Sequence, residues 1–188
     1  MRKTLIAAAS FFLLAFPAVA EVPAYTLVKD KSVLKFIATQ NGAPVEGQFR
    51  DFTADIRFDP SQLEQSGVTV EVATGSVTVA NEDIAQNVKT SDWLSVEAFP
   101  KAVFTSRKIS RAPGADHYRA DGDLTLRGKS VPVTLDFQIE HLDTHSAIAN
   151  GSVMLRRNDF GVGQGEWAQA DVIKNDVRVE FRVVAEKK

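Results

Sequence analysis

No cysteine occurs among the 188 residues of the chain. Disulfide bonds and thiolate metal sites are therefore excluded, and the folded protein has to be stable through its own core. A chain of this length buries enough apolar surface for that. Tryptophan, tyrosine and methionine are rare, with 2 of each, whereas phenylalanine occurs 12 times. The aromatic content of any core or cavity therefore consists mainly of phenyl rings.

The chain also lacks a basic excess. It carries 22 Lys and Arg against 24 Asp and Glu, for a formal net charge of −2 at pH 7. Proteins that bind nucleic acid by neutralising phosphates carry clustered Lys and Arg and a positive charge. The composition therefore predicts that nucleic acid is not a partner.

Long apolar runs are missing except at the N-terminus. Two basic residues at positions 2 and 3 precede an apolar stretch over Leu5–Phe16, and Ala18-Val19-Ala20 has the small residues of a cleavage site. This order is typical of a secretory signal peptide, and the stretch is short for a membrane span. We predict cleavage after Ala20, one domain over residues 21–188, and a periplasmic or secreted location.

A strict alternation of charged and apolar residues marks the segment 176–183, Asp-Val-Arg-Val-Glu-Phe-Arg-Val. Successive side chains of a β-strand point to opposite faces, so Val177, Val179, Phe181 and Val183 share an apolar face. One wet and one dry face are typical of an antiparallel sheet. The pattern leaves open whether the dry face meets a solid core or a cavity that holds a ligand.

Similar strand signals recur along the chain, with no linker, internal repeat or low-complexity tract between them. They cover the segments 33–39, 52–59, 68–79 with a bend at Gly75, 101–109, 117–127, 130–141, 146–157 and 172–185. One stretch differs: Asn81 is an N-cap candidate, and Ile84 and Val88 have helical spacing, which predicts a short helical insert over 81–96. The fold class is therefore all-β, either a sandwich or a barrel.

Residues suited to catalysis are few, and none has a convincing arrangement. His141 and His145 bracket a predicted turn, and Asp121 and Asp123 share a strand face with other polar residues. The glycines of the segment 161–165 are not followed by the helix that a phosphate loop needs. We expect no catalytic residue, no metal and no cofactor, and a barrel enzyme is the least favoured alternative.

Aromatic and other large apolar side chains are the remaining candidates for a site. Each taken alone is compatible with ordinary core packing, but together they permit an apolar cavity, which is how most ligand pockets are lined. The predicted ligand-binding residues are Phe36, Trp93, Leu94, Phe104, Phe137, Phe160 and Trp167.

Four stretches of the chain occur in a characteristic order. They are Gly47-Gln48-Phe49-Arg50-Asp51-Phe52 with Ile56-Arg57-Phe58-Asp59-Pro60; Asp92-Trp93-Leu94 with Phe99-Pro100-Lys101-Ala102-Val103-Phe104; Gly122-Asp123-Leu124-Thr125-Leu126-Arg127-Gly128 with Pro132-Val133; and Arg157-Asn158-Asp159-Phe160-Gly161-Val162-Gly163 with Gly165-Glu166-Trp167. With these stretches the chain resembles the YceI-like family of polyisoprenoid-binding proteins, over about Tyr25 to Ala185.

The resemblance implies an extended eight-stranded antiparallel β-barrel, lipocalin-like, that binds an isoprenoid or quinone-like lipid as cargo without catalysis. The Gly165-Glu166-Trp167 ending is similar to the branch of the family found beside membrane cytochrome domains. An accessory module that docks transiently to a membrane or a membrane cytochrome is therefore the second hypothesis, and a homodimer stays open.

The chain departs from the family in the helical insert. Many members carry an Arg-Asp-x-His-Leu stretch there, where this chain has Gln86-Asn87-Val88-Lys89-Thr90. A contact to the polar head group of a lipid that uses those basic residues does not transfer to this chain. Lys89 is the only cation left in that stretch.

Overall fold

The structure, a computed structural model, describes residues 21–188; the predicted signal peptide lies outside the described residues. The described part contains one α-helix, α1 (Glu82–Lys89), and an 11-stranded sheet. The strands are β1 Ala24–Leu27, β2 Val33–Gln40, β3 Ala43–Phe49, β4 Phe52–Arg57, β5 Gly67–Ala73, β6 Val77–Val79, β7 Lys101–Arg111, β8 His117–Leu126, β9 Lys129–Leu142, β10 Ser146–Arg156 and β11 Asp176–Lys187.

The sheet closes into an antiparallel barrel. Its hydrogen-bonded order runs β1-β4-β5-β7-β8-β9-β10-β11, and the end of β11 pairs back with β1 through Ala185 opposite Leu27. The first half of β11 pairs instead with β2, which continues the wall through β3 to β6. The predicted eight-stranded antiparallel barrel with one short helix is thus confirmed.

The eleven segments β1 to β11 correspond to eight barrel strands, because a bend divides three of the barrel strands into two segments each. A turn over Lys29–Lys31 separates β1 from β2, yet both pair with β11. Arg50 and Asp51 separate β3 from β4, and a turn over Thr74–Ser76 separates β5 from β6. These bends let single chain segments follow the curvature of a closed wall.

Three glycines of the wall lie directly against phenyl rings. A Cβ atom built at Gly47 would collide with the ring of Phe36, and one at Gly151 would collide with Phe181; both pairs are cross-strand neighbours. Gly122 makes the same kind of approach to Phe104 on β7. The rings therefore lie along the wall over a neighbouring strand instead of standing straight into the barrel.

Candidate functional site

The barrel encloses an apolar cavity of about 480 Å³. That volume lies within the range of about 300–1,000 Å³ that small-molecule sites occupy. Val177, Val179, Phe181 and Val183 all line it, so the dry face of β11 that the sequence shows is turned toward the cavity. The alternative that this face meets a solid core is not what the structure shows.

The half-exposed state of the inward-facing residues reflects the same hollow interior. On β9, Val133, Leu135 and Phe137 alternate with exposed residues, and they are themselves only half-buried. In a close-packed core such side chains would be fully covered by neighbours. Their remaining accessible surface faces the cavity and is available to an apolar ligand.

One end of the barrel is closed by an aromatic plug, formed by Phe58, Tyr118 and Phe137. The ring of Phe58 stands edge-on to Tyr118 at 5.1 Å between centroids, and Tyr118 stacks on Phe137 at 5.5 Å. Tyr118 is only 2% exposed. Arg111 covers it from outside, with its guanidinium 5.4 Å from the ring centroid and Nη1 donating to the phenol oxygen at 3.3 Å. This cluster fills the barrel interior at this end, and Arg57 beside it both lines the cavity and is exposed to solvent.

The opposite end is the entrance, formed by α1, the β2–β3 hairpin and the segment 158–175. Asp83 and Asn87 are exposed to solvent and also line the cavity, so the cavity reaches the surface beside them. Ile84 and Val88 lie on the same helix face and line the cavity as well. The entrance thus has an apolar inner part and a polar outer edge.

Helix α1 begins where the sequence predicts. The backbone N–H of Ile84 donates to Oδ1 of Asn81 at 3.1 Å, which is an N-cap bond. The cap fixes the start of the helix and therefore which residues face the cavity. Lys89, the one cation in the stretch where the family pattern is lost, is not among the lining residues.

All seven residues that the sequence predicts as ligand contacts lie in the cavity wall. Trp93 and Trp167 meet near the entrance with ring centroids 5.9 Å apart. The indole N–H of Trp93 is buried and donates to no acceptor in the described part of the chain. The structure brings the seven together, and their contact with a ligand stays a prediction.

Arg157, which the sequence analysis missed, organises the entrance. Its side chain is 4% exposed, and the guanidinium donates to six backbone carbonyls of the segment 158–175. The acceptors are Val162 (3.0 Å) and Gly163 (3.3 Å) for Nη1, Trp167 (2.7 Å), Gln169 (3.1 Å) and Ile173 (2.9 Å) for Nη2, and Lys174 (3.1 Å) for Nε. One side chain thus holds the whole segment against the barrel.

The charge of Arg157 is balanced by dipoles. Within residues 21–188 it forms no ion pair with a carboxylate, and its guanidinium lies 5.8 Å from the ring centroid of Trp93. Burial lowers the pKa of the Arg157 guanidinium below its usual value. Gly163 leaves room for it, because a Cβ there would collide with Nη1, and its backbone has φ of +79°.

The polar residues considered for catalysis lie away from the cavity. Asp121 accepts from Oγ1 of Thr134 at 2.6 Å, and Asp123 lies 3.4 Å from Nε of Arg107, both on the outer face. His141, near the end of β9, is exposed and contacts Asp143 at 3.0 Å. Among residues 21–188, no three His, Asp or Glu are grouped so that they could hold a metal.

In the glycine segment 161–165, the backbone N–H groups of Gly163 and Gln164 both donate to the carbonyl of Asp92, at 2.8 and 2.7 Å. These two donors are therefore engaged within the protein and are not available to a phosphate.

No helix in the described part is long and apolar enough to cross a membrane.

Comparison with known proteins gives consistent matches. A family model described as YceI-like domain matches residues 25–185. A UPF0312 protein of Pseudomonas putida strain W619 is 30% identical over 141 residues, which cover 72% of each chain. Protein YceI of Salmonella newport is 31% identical over 93 residues, or 50% of this chain and 48% of that one.

Two solved structures share the fold. BcnA of Burkholderia cenocepacia superposes with a TM-score of 0.79 at 26% identity, over 84% of this chain and 98% of that one. A polyisoprenoid binding domain from Saccharophagus degradans, implicated in plant cell wall breakdown, gives a TM-score of 0.70 at 15% identity, over 88% and 99% of the two chains. The second likeness concerns the fold alone.

Proposed function

Because the chain belongs to the YceI-like family, we propose that it is an exported carrier that binds a long isoprenoid or quinone-like lipid inside its barrel without catalysing a reaction. The observation that carries this proposal is the hollow interior of about 480 Å³, lined almost wholly by apolar side chains. The plug at one end and the entrance at the other suit an amphiphile that enters tail first. Its polar head group then stays at the edge near Asp83 and Asn87.

The energetics of such binding are favourable. Burial of an apolar tail contributes about 0.8 kcal/mol per methylene-sized group, or about 4 kcal/mol per isoprene unit. Four buried units contribute roughly 16 kcal/mol, which leaves micromolar affinity after an association cost of about 8 kcal/mol. No acid or base is needed for this function.

Two other considerations bear on the proposal. The solved domain from Saccharophagus degradans is described as polyisoprenoid binding, and it has the same fold. The Gly165-Glu166-Trp167 motif, which suggested docking to a membrane cytochrome, has a local role here: Trp167 lines the cavity, and its carbonyl accepts from Arg157. Lipid binding therefore accounts for more of the structure than docking does.

Binding can be tested by closing the cavity from within. On β10, Ala149 faces the cavity, whereas Ser152 is on the outer face. We expect Ala149→Trp to lose the lipid mass that native mass spectrometry detects on the exported protein, because the indole occupies the cavity. Ser152→Trp, the matched control, should retain that mass. Wild-type protein that carries no lipid and takes up none would refute the proposal.

Export is tested separately. N-terminal sequencing of the protein recovered from the periplasm or the medium should begin at Glu21, the residue after the proposed cleavage site. A chain that retains Met1 would contradict this part of the proposal and leave lipid binding unaffected.

A further inference from the structure

We infer that the entrance selects lipids with an uncharged head group that donates hydrogen bonds, such as an alcohol or an amide, over lipids with a phosphate or pyrophosphate. This inference rests on the proposed function and specifies the class of its cargo. It follows from the polar groups that the cavity presents. The lining residues with charged or amide side chains are Gln40, Arg57, Asp83, Asn87 and Arg157.

Arg157 has no donor left for a ligand. A guanidinium has five N–H groups. The six carbonyl contacts of Arg157 use Nε, Nη1 and Nη2, so every N–H group already has an acceptor within the protein. A phosphate could bind Arg157 only by displacing carbonyls that hold the entrance segment in place. Its positive charge is therefore structural.

Arg57 lies at the wrong end of the cavity for an incoming head group. It precedes Phe58 of the aromatic plug, and it pairs across the sheet with Ala24 and Gly67. Its Nη1 lies 3.4 Å from the carboxylate of Glu21. A lipid that enters tail first would place its tail, and not its head group, near this arginine.

Arg127, a further cation near the entrance, is also bonded within the protein. Arg127 donates through Nη1 to the carbonyl of Gly161 and through Nη2 to that of Ser91, both at 2.6 Å. Arg127, Lys89 and Lys174 do not line the cavity. The described residues therefore place no unengaged cation in the wall of the entrance.

What the edge of the entrance does present is one carboxylate and two amides. Asp83 and Asn87 lie one helical turn apart on the exposed cavity-facing side of α1, and Gln40 ends β2. A hydroxyl or amide head group finds acceptors there. A pyrophosphate meets the negative charge of Asp83, and because Asp83 is exposed to solvent the dielectric is close to that of water, so the repulsion lowers affinity by about tenfold.

The test compares two ligands with the same tail, geranylgeraniol and geranylgeranyl pyrophosphate, by calorimetric titration of lipid-free protein at 0.15 M salt, about physiological ionic strength. The alcohol should bind about tenfold more tightly. Asp83→Lys should raise the affinity for the pyrophosphate by about tenfold or more and leave that for the alcohol within about twofold.

Glu82→Lys is the matched control, because it makes the same charge change in the same helical turn at a residue that does not line the cavity. Both substitutions place a lysine in the first turn of α1, where its positive charge opposes the helix dipole, so both lower the stability of the helix by a similar amount. The control should leave the preference for the alcohol in place.

Three results would overturn the inference while the proposed function stands: equal affinity of wild-type protein for both ligands, tighter binding of the pyrophosphate, or no response to Asp83→Lys. If neither ligand binds, the proposed function itself fails. The two failures are therefore distinguishable.

Discussion

Replacing Arg157 by methionine should loosen the entrance and destabilise the whole protein. The substitution keeps a long side chain of similar reach but removes all six hydrogen bonds to carbonyls. Gln169 and Lys174 are exposed, so their carbonyls regain water. Val162 and Gly163 are buried, and their carbonyls are left without a donor.

The magnitude follows from those two groups. Each buried carbonyl left unsatisfied costs about 1–3 kcal/mol. The lost charge-assisted bonds add to this, so a decrease of about 3–5 kcal/mol in the free energy of unfolding is expected. For a chain of this size, that corresponds to a Tm lower by roughly 6–20 °C. Arg157→Lys retains the charge with three donors and should recover about half of the loss.

Calorimetry gives the Tm, and hydrogen exchange locates the effect. Exchange should accelerate first in the segment 158–175, whose carbonyls Arg157 holds. Arg127→Met is the control for losing a guanidinium, because Arg127 bonds to only two carbonyls, and it should cost less. A Tm for Arg157→Met within about 2 °C of wild type would refute the reasoning, since the desolvation cost of the buried charge would then equal its benefit.

Three further predictions concern stability. Gly151→Ala should lower the free energy of unfolding in urea by about 1–3 kcal/mol, because its Cβ would collide with Phe181; an unchanged midpoint would contradict this. Asn81→Ala should cost about 1 kcal/mol through loss of the α1 cap, seen as faster exchange in that helix. Backbone N–H donors, that of His145 first, hold the pKa of Asp143 well below its usual 3.8. The lowered pKa stabilises the folded state above about pH 4, and this stabilisation is lost as the pH falls through the lowered value. The difference in Tm between wild type and Asp143→Asn should therefore close as the pH falls.

Most strands of the barrel can be predicted from the sequence, because charged and apolar residues alternate along a strand that has solvent on one face and an apolar interior on the other. The strand β3 is not recognised, since Pro44 and Gly47 interrupt its pattern. The better signal there is the Asn41-Gly42 pair, whose φ values of 49° and 80° form the tight turn of a hairpin. The predicted strand over 172–185 begins too early: β11 starts at Asp176, and Arg157 uses the preceding carbonyls.

The residues of the site likewise include some that can be predicted from the sequence and one that cannot. Large apolar residues that line the cavity are recognisable because they share the dry side of the wall or flank the helical insert. Arg157 is not recognisable, because its partners are backbone carbonyls, and every residue has one. Only the fold shows that this arginine, unlike those alternating along β11, points inward and is covered.

The glycines that lie beneath phenyl rings set the bore of the barrel. At Gly47, Gly122 and Gly151 the missing Cβ lets a ring lie back against the wall. A methyl group at any of them would collide with that ring and also with a backbone carbonyl of a neighbouring strand, so both the ring and the wall would have to shift. The width of the passage thus depends on three residues that do not themselves line the cavity.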